Sequence, residues 1–77
     1  MKFAKLIELE NDEQVLLITD YNDDDEKYEV KIITDLDTCR ASIKLSFESE
    51  EVVKDILEKY SEEKAILFRK EMEEKLG

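Results

Sequence analysis

The apolar residues of this chain change their spacing at Ser49, and this change constrains the fold more than any other feature. Before Ser49, apolar and polar residues alternate, which places successive side chains on opposite faces of a β-strand. After Ser49 the apolar residues recur at the spacing that gathers them on one side of a helix. The sequence therefore predicts an α+β chain, with its strands first and its helices last.

Four segments before Ser49 have the composition and alternation of strands. We predict these strands over residues 3–10, 14–21, 27–34 and 40–47. The last two have one apolar and one polar face, whereas Leu16 and Ile18 make the second face of 14–21 apolar as well. Such a strand is either covered on both sides or meets another chain with its second face. The short connections favour a four-stranded antiparallel β-meander.

The region after Ser49 contains two apolar stripes that point in different directions. The first stripe is centred near Ile56 and the second includes Phe68, more than ~100° away around a continuous helix axis. A break at Ser61, a residue type that caps helices, resolves the conflict. We predict a short helix over 50–59 and a longer one over 62–76, both packed on one face of the sheet. The alternative is one continuous helix whose second stripe contacts another subunit.

The composition excludes several kinds of functional site. The chain has no His and no Pro, its one cysteine is Cys39, and its one glycine is Gly77. Phosphate-binding loops and nucleophile elbows need internal glycines, and most nucleophilic mechanisms need a histidine. A structural zinc site and an internal disulfide both need more cysteine or histidine than the chain has. We therefore expect no catalytic residues, no enzymatic activity and no cofactor.

The charge and the length suggest the environment and the partners of the chain. Its 77 residues are enough for a single domain, 1–77, that has little apolar surface to bury and would gain stability from a second copy. The net charge of −10 repels nucleic acids and anionic membranes. The chain also has no apolar run long enough to span a bilayer, and a lone thiol suits a reducing compartment. We expect a cytoplasmic protein that binds neither nucleic acid nor membrane.

One acidic turn partly matches a calcium-binding loop. Asp20, Asn22 and Asp24 occupy alternating ligand positions of an EF-hand pattern. The match then fails, because Asp25 replaces the glycine of the sharp turn and Lys31 replaces the closing glutamate. These three residues are a weak candidate metal site, and we prefer an interpretation as a hairpin tip kept in solvent by its charge.

Two functional hypotheses remain. The first is a protein–protein interaction domain that binds a protein partner, a homodimer being one form of this. The second is an acidic inhibitor or nucleic-acid mimic, of the type made by phages and mobile elements, that blocks a basic protein surface. Only the net charge supports the second. For the first, the predicted interaction surface consists of Leu16, Ile18, Ile66, Phe68 and Met72.

Overall fold

The structure is a computed structural model that describes residues 3–76. It contains four strands and two α-helices, in the predicted order and close to the predicted boundaries. The strands are β1 (Ala4–Glu8), β2 (Gln14–Asn22), β3 (Lys27–Asp35) and β4 (Arg40–Phe47), and the helices are α1 (Glu50–Lys59) and α2 (Glu62–Leu76). The α+β fold class is thereby confirmed.

The strands form one antiparallel sheet in the order β1-β2-β3-β4, which is the predicted meander. Leu6 lies opposite Leu16, and Leu16 lies opposite Ile33, so these three residues form one row across the sheet. The next row toward the start of β1 joins Ala4 to Ile18. Since paired residues in adjacent strands project on the same side, each row places its side chains on one face.

The turns use left-handed backbone without any internal glycine. β1 ends at Glu8, earlier than predicted, because a short 3-10 turn over Glu10–Asp12 leads into β2. Asn11 and Asp12 have φ angles of 63° and 61°, as expected for residue types that tolerate this region. Glu26, which has a φ of 52°, is the exception, since a glutamate has no short side chain to stabilise the conformation locally.

Both helices cover the same face of the sheet and enclose the core there. α1 contacts β3 and β4, and α2 contacts β1. The most deeply buried strand residues point to this side, where they meet Val53 of α1 and the buried residues of α2. The main members of this core are Ile7, Val15, Leu17, Val30, Ile32, Val53, Ala65 and Phe68. The opposite face of the sheet is covered by no described element of the chain.

The two-helix prediction is confirmed, and the single continuous helix is wrong. α1 begins after Ser49, whose hydroxyl accepts the Glu51 N–H at 3.2 Å, and ends where Tyr60 becomes extended with a ψ of 120°. The side chain of Lys5 reaches this end from β1 and donates to the carbonyls of Leu57 and Tyr60, at 2.7 and 3.0 Å. A lysine at this position satisfies carbonyls that have no partner within the helix.

A buried arginine attaches α2 to the sheet. Arg69 is only 6% exposed, and its Nη1 donates to Thr34 Oγ1 and to the Asp35 carbonyl, both at 2.6 Å. The Thr34 hydroxyl in turn donates to the Gln14 carbonyl at 2.8 Å. Arg69 Nε lies 3.0 Å from a Glu13 carboxylate oxygen, which makes an ion pair, although the Nε has no hydrogen bond of good geometry among the described residues. The guanidinium therefore joins α2 to β3 and to the turn before β2, and through the Thr34 hydroxyl it is linked to β2.

Neither helix of the described chain is both long enough and apolar enough to cross a membrane.

Candidate docking surface

The face of the sheet away from the helices has an apolar centre. Leu6, on β1, is 50% exposed, and Leu16, Ile18 and Ile33 are half-buried around it. We call these four residues, with Ala4, the apolar patch. The patch spans three strands because Leu6, Leu16 and Ile33 share one row and Ala4 and Ile18 share the next. Large contiguous apolar patches on protein surfaces often mark interaction sites.

A shallow hollow opens at one end of the apolar patch. Its apolar floor is Leu6, Leu16 and Ile33, and its polar rim includes Gln14, Asp35 and Arg40. The volume is about 240 Å³. Cofactor and substrate pockets are usually larger, at ~300–1,000 Å³, and enclose most of their ligand. A depression of this size and shape suits a protruding side chain of a protein partner better than a small molecule.

The charged residues on this face balance, although the whole protein is strongly acidic. Among residues 3–76, strand alternation projects four carboxylates and four cationic side chains onto the same side as the apolar patch. Because these charges cancel, the net charge of −10 belongs to the rest of the molecule. The carboxylates are Glu8, Asp20, Glu29 and Asp35, and the cations are Lys27, Lys31, Arg40 and Lys44.

Two of these charged pairs are already formed within the sheet. Arg40 Nε donates to Asp35 Oδ1 at 2.7 Å, and Lys44 Nζ lies 3.6 Å from Glu29 Oε2. The hydrogen bond from Arg40 holds the pKa of Asp35 below its usual range, with help from the positive charges of Arg40 and Arg69. The same hydrogen bond raises the pKa of Arg40. Both groups therefore stay charged at the rim of the hollow at neutral pH.

The β1 edge of the sheet is protected against pairing with further strands. β1 has only five residues, and Lys5 points inward from it to the end of α1. Short edge strands and inward-pointing lysines are features that natural proteins use to prevent edge-to-edge association. The uncovered face of the sheet is therefore more open to a protein contact than this edge.

The structure separates the five residues of the predicted interaction surface. Leu16 and Ile18 lie in the apolar patch, whereas the other three lie on α2. Of those, Ile66 is 52% exposed, Phe68 is a core residue at 7%, and Met72 packs against the core. Phe68 and Met72 therefore offer little surface to a partner, and Ile66 lies on the other side of the sheet from Leu16.

Three residues of the apolar patch, Ala4, Leu6 and Ile33, were missed by the sequence reasoning. A signal for Ile33 was present, because Ile32 and Ile33 are adjacent apolar residues and a strand must point one of them to each face. Arg69 was not identified from the sequence as a buried residue. Arg69 lies four residues after Ala65 and three before Met72, which places it on the buried side of α2. This spacing was the sequence signal from which its burial could have been predicted.

The weak metal candidates lie in the hairpin between β2 and β3. Asn22 Oδ1 accepts the backbone N–H groups of Asp24 and Asp25, at 3.0 and 3.4 Å, and its Nδ2 lies 3.4 Å from Glu29 Oε2. This side chain therefore closes the turn. Within residues 3–76, no group of three or more Asp, Glu, Cys or His side chains is arranged to hold a metal ion. Cys39 is exposed in the turn between β3 and β4.

The fold and the surface define a small α+β domain with one covered and one uncovered sheet face. No family model matches the chain, and the searches of curated proteins and of solved structures gave no match either.

Proposed function

We propose that this protein is a protein–protein interaction domain that binds a second copy of itself through the uncovered face of its sheet. The observation that supports this most directly is the combination of an apolar centre with balanced charges on that face. Two copies with a net charge of −10 repel each other over most of their surfaces. The uncovered face, on which the charges of the described residues balance, is where two copies can approach with the least repulsion and also remove apolar side chains from water.

The size of the face is compatible with a weak dimer. Four strands ~4.8 Å apart and about eight residues long form a face of about 19 by 26 Å. Two such faces in contact cover roughly 1,000 Å² in projection, which is near the lower limit for a specific interface. Aligned packing of two sheets, ~10 Å apart, is a standard arrangement for such faces. We therefore expect micromolar affinity.

The alternative, an acidic inhibitor that imitates nucleic acid, has less support. Such an inhibitor needs its carboxylates in one array. The acidic turn Asp23–Glu26 lies at one end of the sheet, whereas the acidic turn Glu10–Asp12 lies at the other end. The acidic residues of the two helices are interleaved with lysines, two of which form ion pairs with acidic residues one turn earlier.

Sedimentation analysis of the full chain tests the proposal. The average mass should rise from 9.1 kDa toward twice that value as the protein concentration increases from about 1 µM to about 500 µM. This range brackets the micromolar affinity expected for an interface of this area. The variant Leu6→Lys, in the apolar patch, should remain monomeric throughout, since a charge there would be buried without a partner.

The matched control is Leu67→Lys. Leu67 is 58% exposed but lies on α2, away from the uncovered face. This variant should dimerise as the wild type does, and circular dichroism shows whether both variants fold. A wild-type chain that stays at 9.1 kDa over the whole range overturns the proposal, and so does a dimer that Leu6→Lys leaves intact.

A further inference from the structure

The excess negative charge of the protein lies away from the uncovered face of the sheet. The whole chain carries −10, whereas the charges that the described strands project onto that face cancel. Lys2 is outside the described residues, but its charge is part of the total, so the excess away from this face is negative wherever Lys2 lies. Part of the excess is on the helices, where Glu58, Glu71 and Glu74 are exposed. These helices cover the opposite face of the sheet.

The ion pairs on the uncovered face are satisfied within each copy. Arg40 is bonded to Asp35, and Lys44 lies next to Glu29, on the same chain. A contact between two such faces therefore does not depend on attraction between opposite charges of the two copies. Its attractive part comes from the apolar patch, and removal of apolar side chains from water does not require charge.

Two copies in contact through this face still repel each other through their outer surfaces. Packed sheets lie ~10 Å apart and each sheet has a layer of helix outside it, so the centres of the two copies are roughly 20 Å apart. The screening length is ~30 Å at 10 mM ionic strength, which is longer than that separation, and ~8 Å at 150 mM, which is much shorter. The repulsion between two charges of −10 is therefore strong at low salt and largely screened at physiological salt.

We infer that ionic strength controls the self-association of this protein, with the copies kept apart at low salt and held together at physiological salt. This inference rests on the proposed function and concerns the regulation of the same face. The direction of the salt effect is specific to this distribution of charge. Salt weakens an interface between surfaces of opposite charge, whereas it strengthens an apolar contact between two copies that repel each other elsewhere.

Sedimentation analysis of the full chain at increasing salt tests the inference. We expect the dissociation constant of the dimer to fall by about tenfold or more between about 10 mM and about 150 mM sodium chloride. Choline chloride at the same concentrations should have the same effect, because screening depends on ionic strength and not on the identity of the cation. Higher salt is avoided, since it can strengthen the burial of apolar surface directly.

A triple variant reduces the charge without changing the uncovered face. Glu58→Gln, Glu71→Gln and Glu74→Gln together lower the net charge from −10 to −7. Because repulsion scales with the product of the two net charges, its free energy falls to about half, and the tenfold salt effect should shrink to about threefold. The variant should also dimerise more tightly than the wild type at low salt. The matched control replaces the same three residues with aspartate, which keeps the charge, and should respond to salt as the wild type does. Circular dichroism shows whether both variants fold.

The outcomes separate the salt control from the proposed function. A dimer that Leu6→Lys disrupts, but whose dissociation constant is unchanged or rises between 10 and 150 mM salt, overturns the salt control alone, as ~8 Å screening should have strengthened it. A sodium effect that choline does not reproduce also overturns it, as does a glutamine variant with the same salt response as the aspartate control. A wild type that is monomeric at every salt and protein concentration overturns both the salt control and the proposed function.

Discussion

Replacement of Arg69 by methionine tests how α2 is held on the sheet. Methionine keeps an unbranched side chain but removes the guanidinium that donates to Thr34 Oγ1 and to the Asp35 carbonyl. Hydrogen bonds from a charged donor contribute ~1.5–3 kcal/mol each. Two features make the loss of stability on this substitution smaller than the sum of the two hydrogen bonds. The Thr34 hydroxyl keeps its bond to the Gln14 carbonyl, and Glu13, which is 42% exposed, returns to solvent instead of being left as a buried charge.

We therefore expect Arg69→Met to lower the free energy of unfolding by about 2–3 kcal/mol. The total free energy of unfolding of a domain of this length is only ~5–10 kcal/mol, so the effect should be large in any unfolding experiment. In a thermal scan it corresponds to a decrease of the melting temperature by roughly 10–20 °C. The mechanism is loss of the contact between α2 and the β3 end of the sheet, and the secondary structure of the folded state should be unchanged.

Urea unfolding monitored by far-ultraviolet circular dichroism measures this difference. Lys70→Met is the matched control, because Lys70 is the next residue of α2, has the same charge and is exposed. Surface substitutions of that kind change stability by ~0.5 kcal/mol or less. All samples should have the same protein concentration, since self-association raises apparent stability. If Arg69→Met and Lys70→Met differ by less than about 0.5 kcal/mol, the reasoning about Arg69 is refuted.

Two further predictions concern Lys5 and Asp35. Lys5→Met should lower the free energy of unfolding by about 1–2 kcal/mol, because the last carbonyls of α1 lose their donor. The control Lys64→Met, at an exposed position on α2, should change the free energy of unfolding little. Equal effects of the two substitutions would contradict the role given to Lys5. The pKa of Asp35 is lower in the folded protein than the ordinary aspartate pKa, so the charged carboxylate stabilises the fold at any pH above that ordinary pKa. This stabilisation is lost as the pH falls through the lowered pKa of the folded state. In an NMR titration Arg40→Gln should raise the Asp35 midpoint, and an unchanged midpoint would show that the hydrogen bond is not the cause.

Much of the fold could be predicted because its signals are local. Alternation located the strands, and the change of stripe direction at Ser61 located the end of one helix and the start of the next. The strand 14–21 was also correctly interpreted as apolar on both faces. β1 was predicted too long, because the 3-10 turn at Glu10–Asp12 follows from chain geometry and not from hydrophobic spacing.

The candidate surface was predicted only in part, because it is assembled from separate segments. Leu16 and Ile18 could be found from their own strand, but their contact with Leu6 and Ile33 depends on the register of β1 and β3 against β2. Phe68 was assigned to the surface because a stripe on a helix does not reveal whether it faces the core or a partner. The structure places that ring in the core.

The sequence by itself determined the order and the type of the elements, the break at Ser61 and the excess of negative charge. These depend on residue types and on spacing within short segments. Only the tertiary structure decided that both helices cover the same face and that Lys5 and Arg69 hold the helices on the sheet. It also decided that the described charges on the uncovered face cancel. Those features need residues far apart in the chain to meet, and strand register, which sets which of them meet, is a property of the whole sheet.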